Sequence, residues 1–290
     1  MSETGQLAAS GRVANPRDRA WFEIEQAASL DSPALLIYAE RMDRNIDRAL
    51  QIAGDARRLR PHVKTHKLGP VVARHVARGI TQFKCATIAE AEMVASAGGA
   101  DVLLALQPVG SKVERLLDLV QRFPTVRFST LVDDASAASA MSAACVRRGH
   151  DLEIWLDVDC GMGRTGIAPQ SAAALAHQVA QLPRLQLAGL HAYDGHIHDR
   201  DSEQRAQHCH AAFLPIRALW HSLKNEGFPQ ARLVAGGTST FPMHAAAGDV
   251  ECSPGTYVFW DSGYSHELPD LDFLHAATLL CRVVSKPAAN

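Results

Sequence analysis

The sequence lacks three features that would place it in common classes of protein. It has no excess of charge: 29 Lys and Arg against 31 Asp and Glu leave a formal net charge of -2, so no basic field attracts nucleic acid or an anionic membrane. Residues 1–21 lack the basic start and apolar run of a secretory signal. No window approaches the roughly 18 apolar residues of a membrane span. We therefore expect a soluble, cytoplasmic protein that binds neither nucleic acid nor membrane.

Paired cysteines are also missing. The six cysteines are scattered without a CxxC motif, which argues against a thiolate zinc site and fits reduced, structural thiols. We expect no disulfide bonds among them. They are Cys85, Cys145, Cys160, Cys209, Cys252 and Cys281.

Short strand-like runs alternate with helical segments from residue 60 onward, a pattern typical of a parallel sheet built from βαβ units. Eight such units close most simply into a TIM-like (β/α)8 barrel, an α/β fold that takes roughly 250 residues. A doubly wound open sheet is the alternative. The predicted strands are residues 60–64, 82–86, 101–107, 126–132, 152–158, 185–193, 231–237 and 255–261.

Two pieces lie outside this repeat. Residues 33–54 read as one more strand and helix, and residues 272–290 begin a strand-like run that stops at Asn290. We therefore expect an N-terminal extension over 1–30, the barrel over 31–270, and over 271–290 the start of a second, β domain that is largely missing.

The segment "LRPHVKTHKLGP", residues 59–70, concentrates positive charge in a near-neutral protein. Strand alternation predicts that Arg60, His62, Lys64 and His66 share one face, which would point into the barrel near its C-terminal mouth. There Lys64 would lose proton affinity through burial and neighbouring positive charge, which leaves a free amine for Schiff-base chemistry. A solvated basic patch is the alternative.

Glycine-rich and hydroxyl-rich segments follow the seventh strand and begin the eighth, "VAGGTSTF" and "SPGTYVFWD". Barrel enzymes commonly bind a phosphate at this position through backbone N–H groups and hydroxyls. Each glycine could serve a turn alone, but the placement opposite a candidate imine lysine favours a phosphate site. An imine lysine with a phosphate site indicates pyridoxal 5'-phosphate. The residues concerned are Gly236, Gly237, Thr238, Ser239, Gly255 and Thr256.

Two further segments end the fifth and sixth strands, "LDVDCGMGRTGI" and "GLHAYDGHIHD". Arg164 is a fixed cation that could bond a cofactor phenolate oxygen, with a surface salt bridge as the alternative. Tyr193 can pack on a planar cofactor, and His196 can take a proton from a substrate hydroxyl. No ligand spacing around Asp194 defines a metal site. The later "HCH" at 208–210 is predicted to lie on a helix surface.

These motifs, in this order, resemble fold-type III pyridoxal-phosphate enzymes of the D-threonine aldolase and D-serine dehydratase group, closest to the aldolases. Those enzymes have an alanine racemase-like barrel followed by a β domain, and the resemblance covers residues 30–286. It implies that Lys64 is the Schiff-base lysine, Arg164 the phenolate-binding arginine, and Tyr193 with His196 the contacts to cofactor and substrate. The implied phosphate cup consists of Gly237, Thr238, Gly255 and Thr256.

The sequence departs from the family pattern at two places. Alanine racemases have an arginine for the pyridine nitrogen where this chain has Ser253 before Pro254, which counts against racemase chemistry. Family members also take divalent-metal ligands, a histidine with a cysteine or aspartate, from the β domain, and this chain stops before such a pair. A divalent metal is therefore expected in full-length relatives, and metal ligands in this chain are unknown.

The resemblance implies a lyase that cleaves D-3-hydroxy amino acids by a retro-aldol reaction into glycine and an aldehyde, as a homodimer. The alternatives are β-elimination of the D-serine dehydratase kind, a non-catalytic pyridoxal-phosphate carrier, and a sugar-phosphate barrel without pyridoxal. The last gives "RPHVKTHK" no particular role.

Overall fold

The computed structural model describes residues 20–288, which form two compact units. The larger unit spans Ala39–Ala276, and the smaller one joins the segment that ends at Tyr38 to the segment that begins at Ala277. The six cysteines, all of them in the described part, carry free thiols. No helix within residues 20–288 is both long enough and apolar enough to cross a membrane.

The larger unit contains a curled sheet of seven parallel strands in sequential order, joined by helices. Its strands are buried along most of their length, as expected for a parallel sheet covered on both faces. Inward-facing side chains such as Trp155 and Leu131 form a separate core inside the sheet. The strands are β2 (Gln82–Cys85), β3 (Asp101–Leu104), β4 (Arg127–Val132), β5 (Leu152–Asp157), β6 (Leu185–Ala192), β7 (Arg232–Ala235) and β8 (Glu251–Cys252).

Helices follow the strands and bury their apolar faces against the outside of the sheet. Local sequence sets several ends: the Asp134 carboxylate accepts hydrogen bonds from the first turn of α5, and Gly149 ends that helix in the left-handed conformation. The helices are α1 (Ala39–Ala53), α2 (Gly69–Val76), α3 (Ile88–Ser96), α4 (Ser111–Arg122), α5 (Ala135–Arg148), α6 (Pro169–Ala180), α7 (Ser202–Asn225), α8 (Phe241–Ala247) and α9 (Ser262–Glu267).

Segment 59–62 spans the open side of the curled sheet. The Arg60 N–H donates to the Cys252 carbonyl of β8 at 2.9 Å, and the Lys84 N–H of β2 donates to the Pro61 carbonyl at 2.9 Å. The predicted first strand, 60–64, is therefore only partly correct. After His62 the chain leaves the extended form and makes a 3-10 turn, Val63–Thr65, so Lys64 lies on a turn and not on a strand.

The predicted eighth strand is wrong. Residues 255–261 do not pair in the sheet, because Pro254 cannot donate to a ladder and the next residues form a 3-10 turn, Thr256–Val258. The strand that pairs with β7 is Glu251–Cys252, immediately before Pro254. The six predicted strands between these two are confirmed within a few residues.

Arg60 lies at the opposite end of the sheet from the mouth, so its predicted place near the mouth is wrong, although its guanidinium does lie over the inward-facing Trp155 ring. Its fully buried guanidinium bonds Asp101 at 2.6 Å and Glu251 at 2.7 Å, which are the first residues of β3 and β8. Because strands of a parallel sheet begin at one edge, this ion network closes the N-terminal end of the barrel.

The smaller unit contains β1 (Ala34–Ile37), paired antiparallel with β9 (Ala277–Leu280). Tyr38 donates from its hydroxyl to the Phe22 carbonyl at 2.6 Å. The predicted strands in 33–54 and 272–290 are thus present. The domain boundaries at 30/31 and 270/271 stay predictions, and residues 1–19 of the predicted extension lie outside the described residues.

Candidate active site at the carboxyl ends of the strands

Three cationic side chains surround the ring of Tyr193, which follows β6. The Lys64 Nζ lies 5.3 Å from the ring centroid, the Arg164 guanidinium carbon 5.0 Å and the Lys84 Nζ 5.5 Å. Burial and the charge of Arg164 lower the pKa of the Lys64 amine, as expected for a group that must be available as a free base. The structure thus brings Lys64, Arg164 and Tyr193 together as the sequence predicted.

Two glycines leave the space that the Tyr193 ring occupies. A Cβ added to Gly195 would lie 2.4 Å from the ring, and one added to Gly237 would lie 3.0 Å from it. Any side chain at Gly195 would therefore displace the ring, and one at Gly237 would press on it. These contacts give a packing reason for one glycine in "YDGH" and one in "AGGTST".

Three of the predicted phosphate residues, Thr238, Gly255 and Thr256, form one cradle. The backbone N–H groups of Gly255 and Thr256 both point at the Thr238 hydroxyl oxygen, at 3.0 and 3.1 Å. Two amides that converge on one point are a common construction of an anion site, and here the Thr238 hydroxyl oxygen takes that position. The cradle adjoins the lysine turn, since a Cβ on Gly255 would lie 2.9 Å from the His62 carbonyl oxygen and 3.3 Å from the Thr65 hydroxyl.

The loop that carries Arg164 is shaped by carboxylates. Asp159 accepts hydrogen bonds from the N–H groups of Gly161 and Gly163, at 2.9 and 3.1 Å. The Arg164 side chain is exposed at the surface of this loop, over Tyr193. Cys160 is buried below it and donates to the Tyr193 carbonyl at 3.3 Å, which agrees with its predicted role as a packed thiol.

His196 lies on the exposed loop after Tyr193. A Cβ added to Gly161 would be 3.4 Å from its Nε2, so the imidazole covers the turn of the Arg164 loop. On its other side it lines a cavity of about 330 Å³ with His198, Asp199 and His208. The structure therefore places His196 beside the loop that carries Arg164.

A buried polar chain that the sequence analysis missed runs behind Tyr193. The Lys84 Nζ lies 3.4 Å from the His191 Nε2, and the His191 Nδ1 donates to Asp157 at 2.7 Å. Thr165 donates to the other oxygen of Asp157 at 2.9 Å. Alternation in "QFKCA" places Lys84 on the inward face, which was the available signal, but the segment reads as an ordinary strand.

Burial, followed by the charge of Lys64, lowers the pKa of Lys84 from 10.5 to about 7. Burial also lowers the pKa of His191, and the charge of Lys84 adds to this effect. The amine of Lys84 therefore exchanges a proton near neutral pH, next to a neutral imidazole that is oriented by a carboxylate.

This shift predicts a pH-dependent stability. Between pH 7 and 10.5 the unfolded chain holds a proton on Lys84 that the folded chain has lost, so the free energy of unfolding should rise with pH. We expect urea unfolding of the cofactor-free protein to show a rise of about 1 kcal/mol per pH unit between about pH 7 and 8.5. In Lys84→Met this contribution to the slope should be lost, which leaves that of Lys64, whose pKa is also lowered, whereas the exposed Lys112→Met should keep the full slope. An equal slope in both variants would contradict the assignment.

Residues 37–263 match the alanine racemase N-terminal domain. The chain belongs to the alanine racemase N-terminal domain family. Both the predicted family resemblance and the predicted barrel fold are thereby confirmed.

The relatives of this chain include aldolases and a dehydratase. The chain is 32% identical to a D-threonine aldolase from Arthrobacter sp. over 270 residues, which cover 91% of this chain and 70% of that enzyme. It is 31% identical to a D-threo-3-hydroxyaspartate dehydratase from Delftia sp., over 80% of this chain and 62% of that enzyme. The crystal structure of D-threonine aldolase from Filomicrobium marinum superposes with a TM-score of 0.81 at 30% identity, over 87% of this chain and 69% of that one. The chain thus spans 62 to 70% of these relatives.

Proposed function

We propose that the protein is a pyridoxal 5'-phosphate-dependent lyase that cleaves D-3-hydroxy amino acids into glycine and an aldehyde. The observation that carries the proposal is the position of Tyr193. The Lys64 amine lies 5.3 Å from the centroid of its ring, and a Cβ added to Gly237, next to the anion cradle, would lie 3.0 Å from the ring. The names of the lyase relatives support the same reaction class.

The donor set of this chain fits the cofactor. Lys64 offers an amine of lowered pKa for the aldehyde, Arg164 a cation for the phenolate oxygen, and Tyr193 an aromatic surface for the ring. The phosphate would be held by the backbone and hydroxyl groups of Gly237, Thr238, Gly255 and Thr256. When bound, the cofactor supplies an acceptor for the electron pair that the substrate's α-carbon receives as the carbon–carbon bond breaks.

Two side chains of the protein, those of His196 and Lys84, accept or donate protons in the proposed reaction. His196, on the loop above the mouth, accepts the proton of the substrate hydroxyl. Lys84, whose pKa is about 7, holds or releases a proton inside the mouth at neutral pH. His191 and Asp157 fix the direction of its lone pair through the hydrogen bonds described above.

His196→Ala tests the hydroxyl-proton role. We expect the rate of aldehyde release from D-threonine to fall about 10²-fold, while cofactor binding is retained, because His196 lies outside the phosphate cradle and the Lys64 turn. The matched control is His198→Ala, an exposed histidine two positions along the same loop. Unchanged turnover in His196→Ala, or equal losses in both variants, would remove His196 from the mechanism.

A second candidate reaction is β-elimination, which the similarity to a D-threo-3-hydroxyaspartate dehydratase favours. Product analysis separates the two, since the aldolase reaction gives glycine and an aldehyde and the elimination gives ammonia and an oxo acid. The assays should be run with and without an added divalent cation, because the family resemblance implies a metal. If neither assay gives products, the protein is better described as a non-catalytic cofactor carrier. We also propose a homodimer, which sedimentation analysis tests.

A further inference from the structure

Three different metal-ligand side chains meet behind the phosphate cradle. They are Asp194 from the loop after β6, Cys209 from α7 and His244 from α8. The His244 Nε2 lies 2.9 Å from the Asp194 Oδ2 and 3.6 Å from the Cys209 Sγ, and the Sγ is 4.0 Å from the same carboxylate oxygen. Cys209 is thus buried, which corrects the prediction that "HCH" at 208–210 lies wholly on the surface.

The spacing of the three atoms is close to that of a tetrahedral metal site. Bond lengths of about 2.0 Å to oxygen and nitrogen and about 2.3 Å to sulfur place ligand atoms about 3.3 to 3.6 Å apart at tetrahedral angles. The observed separations of 2.9, 3.6 and 4.0 Å bracket these values. Movements of about 0.5 Å, within rotamer adjustment, would bring all three atoms to bonding distance.

Burial and charge agree with a bound dication. Asp194 is fully buried, and His244 and Cys209 are 2% and 4% exposed. A carboxylate, a thiolate and a neutral imidazole carry two negative charges, which a divalent ion cancels, so the buried site would have no net charge when the ion is bound. Mixed oxygen, nitrogen and sulfur donors favour Zn²⁺ over the hard ions Mg²⁺ and Ca²⁺.

Neighbouring groups orient the ligands, as outer partners do in metal sites. The Thr240 hydroxyl donates to the second oxygen of Asp194 at 2.9 Å. The His244 ring packs edge-on against Phe213 at 4.4 Å between centroids. Gly236 leaves room for that ring, because a Cβ at this position would lie 2.4 Å from it.

We propose that Asp194, Cys209 and His244 bind one structural Zn²⁺ ion. Because Zn²⁺ takes four ligands in a tetrahedral site and this cluster provides three, a water molecule would fill the fourth position. Since Thr240 joins Asp194 to the loop of residues 236–240, the ion would fasten that loop to α7 and α8. The sequence positions are too far apart for any ligand motif, which is why spacing rules gave no signal. The zinc proposal does not require the proposed pyridoxal chemistry, because none of the three ligands is assigned to the cofactor or the substrate.

The test measures metal content of the full chain, purified with added ZnCl₂ and then dialysed against metal-free buffer. We expect about one equivalent of zinc per chain by mass spectrometry, falling at least about fivefold in Cys209→Ser and His244→Gln. Matched controls are Cys145→Ser, a buried thiol on α5, and His208→Ala, an exposed neighbour of Cys209. Both controls should keep their zinc.

Cobalt provides a second measurement that needs no variant to fold. Co²⁺ added to the metal-free wild-type protein should give the intense visible bands of tetrahedral coordination and a thiolate charge-transfer band in the near ultraviolet. Wild-type protein that holds no zinc and shows no such bands would overturn the proposal and leave a hydrogen-bonded cluster only. Zinc retained equally by folded Cys209→Ser and His244→Gln would also overturn it. Lys64→Ala should keep its zinc. Failure of the lyase proposal can therefore be distinguished from failure of the zinc proposal.

Discussion

Lys64→Ala is expected to abolish both cofactor attachment and turnover. Wild-type protein mixed with pyridoxal 5'-phosphate should develop an absorbance band near about 420 nm, which reports the bond between the cofactor and a lysine amine. The variant should lack this band, and the rate of aldehyde formation should fall on the order of 10³-fold or more, because no other group takes over the covalent step.

Lys67→Asn is the matched control for this experiment. Lys67 lies three residues along the same segment, its side chain is 64% exposed, and its φ of 52° is a conformation that asparagine also adopts. The control should keep the band and the turnover. A Lys64→Ala protein that still forms the band would assign the attachment to another amine, and Lys84, which also faces Tyr193, would then be the next lysine to replace.

Arg60→Met is expected to destabilise the protein by about 3 kcal/mol. The substitution keeps the apolar stem but leaves Asp101 and Glu251 buried without their shared partner. Other arginines reduce the loss, since Arg127 lies 2.8 Å from Asp101 and Arg232 lies 3.2 Å from Glu251. The measurement is the free energy of unfolding in urea, with catalytic assays on the folded fraction.

Arg57→Met serves as the comparison for Arg60→Met, because Arg57 pairs with Asp55 at the surface and is almost fully exposed. Its loss should change the unfolding free energy little, since exposed ion pairs contribute little. If Arg60→Met unfolds at the same urea concentration as the wild type, the network at the N-terminal ends of the strands does not stabilise the barrel. We expect turnover per folded molecule to be unchanged, because Arg60 lies at the end of the barrel away from Lys64.

Those parts of the site that depend on strand order could be predicted from the sequence. The carboxyl ends of parallel strands lie at one edge of the sheet, so the residues that follow the strands are expected to lie close together there. Lys64, Arg164 and Tyr193 do lie close together. The phosphate cradle follows from the same rule, since Thr238 comes after β7 and Thr256 after β8. The catalytic and binding roles of these residues stay predictions.

Other parts depended on interactions that no local pattern contains. The eighth strand was misplaced because "TYVFWD" has strand-like composition, whereas Pro254 and the contacts of the next two amides with Thr238 decide its conformation. Arg60 was assigned to the mouth because alternation predicts the face of a residue but not its height along the barrel, and the ion pairs with Asp101 and Glu251 hold it at the N-terminal end. The contacts of Lys84 with His191 and of Cys209 with His244 join residues distant in sequence, so no local pattern predicts them.

The junction between segment 59–62 and β8 has a consequence for biosynthesis. The Ser253 hydroxyl bonds the Arg60 carbonyl across 193 positions of sequence. On the ribosome, the lysine-bearing turn therefore emerges early and stays without its neighbour until the final strand of the sheet has been translated. A nascent chain released within α7 would contain Lys64 but would lack the partner that fixes its position. The segment that carries Lys64 is thus fixed in place only near the end of translation of the barrel.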